Sequence, residues 1–111
     1  MDIPVEIAAH FKEGTLIAAI AQDVTNGEVL MMAWMNEEAL RQTFDSGRVT
    51  YWSRSRNQLW TKGESSGHTQ QLIGASYDCD GDALLLQVEQ TGAACHTGER
   101  SCFFRVLEVE A

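Results

Sequence analysis

The stretch "QQLIGASYDCDGDALLLQVEQ", residues 70–90, decides the expected fold, because two apolar runs flank a tight-turn signal. Asp80-Gly81 is a dipeptide favoured in two-residue β-hairpin loops. The expected cross-strand pairs are Tyr77 with Leu84, Ala75 with Leu86, and Ile73 with Val88. These pairs form one continuous apolar face, and a shift of one residue would turn that face outward. The pattern therefore predicts a hairpin whose tip carries Cys79 and Asp82.

A second hairpin is predicted in "LIAAIAQDVTNGEVLMMAWM", residues 16–35, where Asn26-Gly27 is a strong type I′ turn signal. A two-residue loop predicts these pairs: Val24 with Val29, Ile20 with Ala33, Ala18 with Met35, Ala21 with Met32, and Ala19 with Trp34. Both faces of this hairpin are apolar, so we expect both to be largely buried.

The remaining segments complete a small mixed domain. Asn36 is a good N-cap for a short helix that Gly47 can end, with Leu40 and Phe44 on one face. Residues 49–55 and 103–109 are predicted strands, and the polar, glycine-rich stretch 61–70 is a predicted loop. We expect a single α+β domain over residues 1–111, mainly β: a small twisted or barrel-like sheet of hairpins with one or two short helices.

Composition limits the classes of function. The 111 residues suit one modest core, and a net charge of −8 argues against general binding to nucleic acid or anionic membranes. The chain has no apolar run near the roughly 20 residues that span a bilayer, and its first residues, "MDIPVEIAAHFKEG", lack the features of a secretory signal. We therefore expect a cytoplasmic protein, in which three cysteines are more often metal ligands or nucleophiles than disulfides.

Charge is concentrated in one window. Residues 48–62, "RVTYWSRSRNQLWTK", hold half of the eight basic residues and no acidic one: Arg48, Arg54, Arg56 and Lys62. Guanidinium groups and neighbouring hydroxyls suit phosphate, and Trp52 and Trp60 could stack on a base, although tryptophans are more often core residues. The same residue types would suit single-stranded nucleic acid, but the overall acidity favours a ligand the size of a mononucleotide.

Three aspartates crowd the predicted hairpin tip: Asp78, Asp80 and Asp82. Hard oxygen ligands at this density suit Mg²⁺ or Ca²⁺, and a cation would relieve their mutual repulsion. The alternative is an ordinary Asp-Gly turn with solvated neighbours. A strict hairpin places Asp78 on the opposite face from Asp82, so metal binding requires strand twist or a bulge at the tip.

The cysteines and two histidines supply a second set of candidate ligands. Cys79, Cys95 and Cys102 could hold Zn²⁺ and leave one tetrahedral position open, as in catalytic zinc sites. The alternative is that they are small buried residues. His68 and His96 are candidate general acid/base residues or fourth ligands.

Together these stretches resemble the phosphoribosyl-AMP cyclohydrolase family of histidine biosynthesis. The matching runs are "LMMAWMNEEAL", "YWSRSRNQLWTKGESSGHTQ", "DCDGDALLLQVEQ" and "ACHTGERSCFF", within residues 14–105. The resemblance implies the third step of the pathway, in which water opens the adenine ring of 1-(5-phosphoribosyl)-AMP between N1 and C6. It also implies an interlocked homodimer with an active site shared between chains, and no fused pyrophosphohydrolase domain is expected.

The resemblance further implies the site residues. Zn²⁺ is expected at Cys79, Cys95 and Cys102, and Mg²⁺ at Asp78, Asp80 and Asp82. His96 is the first candidate for proton transfer and His68 the second. The residues expected to bind substrate are Arg48, Trp52, Arg54, Lys62, Ser66 and Gly67.

Three other functions compete with this hypothesis. A zinc-dependent base deaminase would carry H-x-E and P-C-x-x-C, and neither occurs in the sequence. A small non-enzymatic zinc module would close its metal with four ligands, which requires His96 or His68 beside the three cysteines. An RNA-binding β-domain would use residues 48–62.

Overall fold

The computed structural model describes residues 1–110, which form one six-stranded sheet and two helices. The elements in chain order are α1 (Val5–Lys12), β1 (Ile17–Asp23), β2 (Val29–Met35), α2 (Glu37–Ser46), β3 (Thr50–Ser53), β4 (Gln58–Thr61), β5 (Gln70–Tyr77) and β6 (Ala83–Gln90). The strand order is β4-β3-β2-β1-β6-β5. Neighbours are antiparallel except β1 and β6, which run parallel and join the two halves of the curled sheet. The mainly β fold with two short helices agrees with the sequence.

The first hairpin exists, but its predicted register is wrong by one residue. Ala18 pairs with Trp34 and Ile20 with Met32, and a bulge follows Ala21. The expected two-residue Asn-Gly loop is replaced by a wider one that closes with a hydrogen bond from the Asp23 N–H to the Glu28 carbonyl at 2.8 Å. The cause is the Asp23 side chain, which accepts from the Thr25 N–H at 2.8 Å and stabilises the wider turn.

The second hairpin has the predicted register near its tip and a different one at its base. Tyr77 pairs with Leu84 and Ala75 with Leu86, as expected. A bulge at Ile73 then shifts the ladder, so that Leu72, not Ile73, faces Val88, and Ile73 is 52% exposed. The tip is also wider than the predicted Asp80-Gly81 turn: it closes at Asp78, whose N–H donates to the Ala83 carbonyl at 3.0 Å.

Helix α2 follows the prediction closely. The Asn36 side chain accepts from the Ala39 N–H, and Gly47 ends the helix with φ +76°. The buried Thr43 hydroxyl then fixes the helix to β3, because it accepts from the Thr50 N–H at 2.9 Å. Helix α1, which the sequence reasoning did not place, begins after Pro4.

Both helices cover the same face of the sheet. Ile7 of α1 and Leu40 of α2 lie in the core cluster with Ile17, Ala19 and Leu86. The opposite face carries apolar residues that are only partly buried or exposed, paired across neighbouring strands: Ala18 with Trp34, Ile20 with Met32, Ile20 with Leu85, and Trp34 with Trp52. Neither helix within residues 1–110 is long and apolar enough to cross a membrane.

Two predicted strands differ from the structure. The strand expected at residues 49–55 is shorter and spans Thr50–Ser53. The strand expected at 103–109 is wrong: these residues have no regular secondary structure. Phe103 is 63% exposed and Leu107 90% exposed. A strand needs a neighbouring strand to satisfy its backbone, and residues 103–109, despite their apolar strand-forming residues, pair with no strand within residues 1–110.

Candidate active site

Two thiols meet in the loop that follows β6, residues 91–102, which is called the thiol loop below. Cys95 is buried and accepts a hydrogen bond from the Thr97 hydroxyl at 3.0 Å, which lowers the pKa of its thiol. Cys102 lies next to it, and loss of hydration at its sulfur raises the pKa of that thiol. The two sulfurs are soft donors at one point, with different tendencies to ionise.

Lys62 brings a positive charge to this thiol pair. Its half-buried ammonium group donates to the Ala94 carbonyl and lies 5.2 Å from the centre of the Trp60 ring. Burial lowers the pKa of Lys62, while the nearby Cys95 and Cys102 act in the opposite direction. The side chain is therefore held at the thiols by specific contacts and is not a freely moving surface lysine.

A cavity of about 440 Å³ opens beside the thiols, and a second one of about 340 Å³ adjoins it. The first is lined by four of the residues predicted to act on or bind substrate, Lys62, Ser66, His68 and His96, together with Cys95. Such a volume suits a small-molecule ligand. The two cavities together thus bring thiols, imidazoles and an ammonium group to one place, although these groups come from separate loops.

His68 occupies a space that two glycines leave for it. A Cβ atom on Gly92 would lie 2.6 Å from the His68 ring, and one on Gly63 would lie 2.4 Å from the His68 backbone. Both glycines also have positive φ values, +70° and +79°. The ring is consequently positioned by close packing, although His68 is exposed on its cavity side. His96, in the thiol loop, is also exposed.

The three aspartates converge in the β5–β6 loop. Asp78, Asp80 and Asp82 each offer a carboxylate oxygen, and these oxygens lie within 4.8 Å of one another. The wider loop resolves the strict-hairpin objection, because the Asp78 carboxylate turns back to accept from the Asp82 N–H at 3.1 Å. All three side chains are exposed, so their oxygens are open to a ligand. Oxygen donors of this kind suit a hard divalent cation.

Ionisation of the aspartates is linked. The hydrogen bond and charge of Asp78 raise the pKa of Asp82. Desolvation would raise the pKa of Asp78, but hydrogen bonds from Asp82 and from backbone N–H groups outweigh it and hold that pKa below its usual value. Cys79, in the same loop, donates to the Asp80 carboxylate at 3.1 Å, which raises the pKa of the thiol.

Helix α1 packs against the acidic loop, residues 78–82. The His10 ring bonds the Asp80 carbonyl at 2.9 Å. Gly81, with φ +73°, packs so closely that a Cβ atom there would lie 2.8 Å from the Glu6 carbonyl carbon. His10 had no expected role, and no signal in the sequence links it to a residue 70 positions away.

The acidic loop and the thiol pair lie at opposite ends of the sheet. The Asp82 carbonyl accepts from the Ala18 N–H at the beginning of β1. The Cys102 N–H instead donates to the Leu30 carbonyl, beside the far end of β1. Because β1 and β6 run parallel from Ala18–Ala83 to Asp23–Val88, Cys79 is separated from the other two cysteines by the length of a strand.

The remaining predicted substrate-binding residues lie away from the main cavity. Trp52 and Arg54 border a neighbouring open groove, where the Arg54 guanidinium lies 4.7 Å from the centre of the Trp34 ring. Arg48 is exposed, and its backbone forms an isolated antiparallel β-bridge with Gln71 on β5. Gly67 lies in the loop near Ser66, with open space where a Cβ atom would be.

Two charged residues of the cavity were not among the residues expected to bind substrate. Arg56 and Glu64 line it together with His68 and His96. Arg56 was visible as part of the basic window. Glu64 is an acidic residue within "KGESSG", and a carboxylate inside such a flexible, polar stretch could have marked it.

Comparison with known proteins points to one family. A family model described as phosphoribosyl-AMP cyclohydrolase matches residues 31–104. A protein of that name from Hyphomonas neptunium is 62% identical over 103 residues, covering 93% of this chain and 79% of the relative. The one from Paracoccus denitrificans is 68% identical over 92 residues, covering 83% and 76%. The one from Acidiphilium cryptum is 61% identical over 105 residues, covering 95% and 90%.

These matches, to a chain with this fold and cavity, identify an enzyme of the hydrolase class. More specifically, the chain belongs to the phosphoribosyl-AMP cyclohydrolase family. The resemblance first seen in its sequence motifs is confirmed.

Proposed function

We propose that this protein opens the adenine ring of 1-(5-phosphoribosyl)-AMP in the cytoplasm, as a step of histidine biosynthesis. Water adds at C6, the N1–C6 bond breaks, and the product is the formimino aminoimidazole-carboxamide ribonucleotide. The observation that carries the proposal is the pair of adjoining cavities lined by a thiol pair, Lys62 and two histidines, within a chain of this family.

Charge in the cavity suits a phosphorylated substrate. Arg56 and Lys62 line it in a protein whose net charge is −8. We infer that Arg56 and the Ser66 hydroxyl bind one phosphate group, because guanidinium forks and hydroxyls donate well to phosphate oxygens. Arg54 and Trp52, in the adjoining groove, would bind the more distant part of the nucleotide. Arg54→Ala should then raise KM, and an unchanged KM would remove Arg54 from the site.

Proton transfer falls to a histidine. Ring opening needs a proton removed from the attacking water and one delivered to N1. We propose His96 for this role, since it lies beside Cys95 and lines both cavities, with His68 as the second candidate. His96→Ala should abolish the pH-dependent part of kcat. Full turnover with an unchanged pH profile would transfer the role to His68.

The thiols fit zinc by their chemistry. Cys95 and Cys102 place two soft donors together, and a catalytic zinc site needs three protein ligands and an open position. When bound, Zn²⁺ would supply the Lewis acidity that makes water nucleophilic near neutral pH. We propose Cys79 as the third ligand. Because its own chain holds it a strand length from the other two, the Cys79 that completes the set would come from a second copy.

A homodimer would also cover exposed apolar surface. The uncovered sheet face includes Met32, which is 39% exposed, and the 103–109 segment includes Leu107, which is 90% exposed. A second copy offers the same two surfaces in return, as a two-fold interface requires. We propose that the two chains interlock through them and that each contributes to both active sites.

Magnesium is proposed at Asp78, Asp80 and Asp82, whose carboxylate oxygens converge and whose negative charges repel one another. In a dimer this loop would accompany Cys79 to the partner's cavity. There the cation would offset substrate phosphate that an acidic loop would otherwise repel.

One assay tests the proposal as a whole. Purified protein is supplied with 1-(5-phosphoribosyl)-AMP, and ring opening is followed by absorbance before chelation, after chelation, and after Zn²⁺ and Mg²⁺ are returned singly and together. Turnover that is lost on chelation and fully restored only by both ions is expected. Zinc binding without turnover would instead favour a non-enzymatic zinc module.

A further inference from the structure

The thiol loop is fastened to the β1–β2 hairpin by consecutive residues. The Ser101 hydroxyl donates to the Val29 carbonyl at 2.8 Å, and the Cys102 N–H donates to the Leu30 carbonyl at 2.7 Å. Ser101 is almost fully buried. One edge of the loop is therefore fixed by hydrogen bonds that flexible surface loops lack.

Arg100, immediately before these residues, connects three segments. Its Nη2 group pairs with a carboxylate oxygen of Asp23 at the end of β1. Its Nη1 group donates to the Gly92 carbonyl at 3.2 Å, where the chain leaves β6. Its Nε lies 3.5 Å from a carboxylate oxygen of Glu28. The guanidinium thus joins the hairpin, the exit of β6 and the thiol loop.

Asp23 is an unusual partner for a loop arginine, because it is only 4% exposed. Its second carboxylate oxygen is already used by the Thr25 N–H. Burying a carboxylate is costly, and an ion pair of this kind is often no more stabilising than apolar packing would be. The planar guanidinium instead fixes the orientation of the segments it binds, because its donors have a rigid geometry.

Backbone hydrogen bonds also connect Arg100 and its neighbour Glu99 to the segment that holds the other thiol, Cys95. The Arg100 carbonyl accepts from the Ala94 N–H at 3.0 Å, and the Glu99 carbonyl accepts from the Cys95 N–H at 3.2 Å. A displacement of Arg100 would therefore move Cys95 as well as Cys102. Both thiols depend on one ion pair, although neither Asp23 nor Arg100 lines the cavities.

We propose that Asp23 and Arg100 are positioning residues of the active site, which hold the Cys95 and Cys102 sulfurs at the separation that a shared metal ion needs. The inference rests on the proposed function for its link to zinc and goes beyond it by assigning the pair that shapes the ligand loop. Groups that orient metal ligands commonly change metal affinity 10–100-fold when removed.

Three substitutions separate this role from general stability. Asp23→Asn keeps the shape and the acceptor for the Thr25 N–H but removes the charge, and Arg100→Lys keeps the charge but removes the fork. Glu28→Gln is the matched control, because this partner is more exposed than Asp23 and more distant. Each purified variant is checked by circular dichroism, and zinc affinity is measured by competition with a chromophoric chelator. We expect about tenfold weaker binding for the first two variants and no change for the control.

A second readout needs no metal. In a Cys79→Ser background, the metal-free protein is treated with oxidised glutathione, and the rate of Cys95–Cys102 disulfide formation is measured. Loss of fixed orientation should slow this reaction by about tenfold in Asp23→Asn and Arg100→Lys. If Asp23→Asn does not fold, Arg100→Lys decides the result.

The outcomes separate the two proposals. Lower melting temperatures with unchanged zinc affinity and disulfide rate would make the pair purely structural and overturn the inference. A wild-type protein that neither binds zinc nor opens the substrate ring would refute the proposed function. In that case the disulfide rates would still show whether Asp23 and Arg100 position the thiols.

Discussion

Subunit mixing tests whether two chains share one active site. The loop that holds Cys79 precedes β6, and the loop that holds Cys95 follows it. The eight residues of β6 span about 23 Å at roughly 3.3 Å per residue, whereas sulfurs that share a zinc ion each lie about 2.3 Å from it. No rotation of a side chain closes that gap. Cys79→Ser and Cys95→Ser chains should therefore each be inactive alone but active together.

The expected recovery follows from dimer statistics. Random reassociation of equal amounts makes about half of the dimers mixed. Each mixed dimer has one site with both substitutions and one with none, so about one quarter of wild-type activity should return. The two variants are mixed in mild denaturant, refolded with Zn²⁺ and Mg²⁺, and assayed for ring opening.

The matched control mixes two lesions from the same side of the site. Cys95→Ser with Cys102→Ser leaves every site damaged, so no activity should return. If Cys79→Ser with Cys95→Ser also stays inactive while mixed dimers are demonstrated by mass spectrometry, the three ligands do not come from two chains and the shared site is refuted.

Three further substitutions probe single contacts. Gly81→Ala should lower the free energy of unfolding by about 1–3 kcal/mol, because its Cβ would strike the α1 backbone at a positive φ, whereas Gly98→Ala, with open space around it, should cost only about 1 kcal/mol. Tyr51→Phe should cost about 1–3 kcal/mol by urea unfolding, because it removes a buried 2.7 Å hydrogen bond and leaves its acceptor unpaired. The hydrogen bond from the Thr25 N–H and the charge of Arg100 lower the pKa of Asp23 below its ordinary value. Its stabilising contribution is therefore present above the ordinary pKa of an aspartate and is lost as the pH falls through the lower pKa of the folded state. Over that acid range, metal-free wild type should lose more stability than Asp23→Asn.

Each of these outcomes has a clear opposite. Equal losses for Gly81→Ala and Gly98→Ala would mean that contact with α1 is unimportant. An unchanged urea midpoint for Tyr51→Phe would remove the hydroxyl from the stabilising contacts. Parallel stability curves for wild type and Asp23→Asn across the acid range would show that the Asp23 charge contributes nothing.

The sequence predicts elements better than it predicts register. Alternation and turn residues are local signals, so both central hairpins and helix α2 were predictable. The bulge at Ile73 and the wide turn after Asp23 were not, because each depends on side-chain bonds and packing that form only in the fold. A dipeptide such as Asn26-Gly27 favours a two-residue turn, but hydrogen bonding to a neighbouring buried carboxylate can favour a wider one instead.

The candidate site divides in a similar way. Residue types chosen for their chemistry, such as Cys95, His68 and His96, do meet at one cavity. Supporting residues were not predictable, because His10 and Arg100 act through contacts with distant parts of the chain. The apolar segment at 103–109 has strand composition, and composition alone does not say whether a partner edge exists.

The parallel seam between β1 and β6 also governs how the chain can fold during synthesis. The first hairpin and helix α2 can form as soon as they leave the ribosome, but β1 pairs with a strand that begins at Ala83. Closure of so long a loop is slow compared with local hairpin formation. In the nascent N-terminal half, β1 must therefore keep one edge unpaired until β6 has been translated, a period in which chaperone protection would matter most.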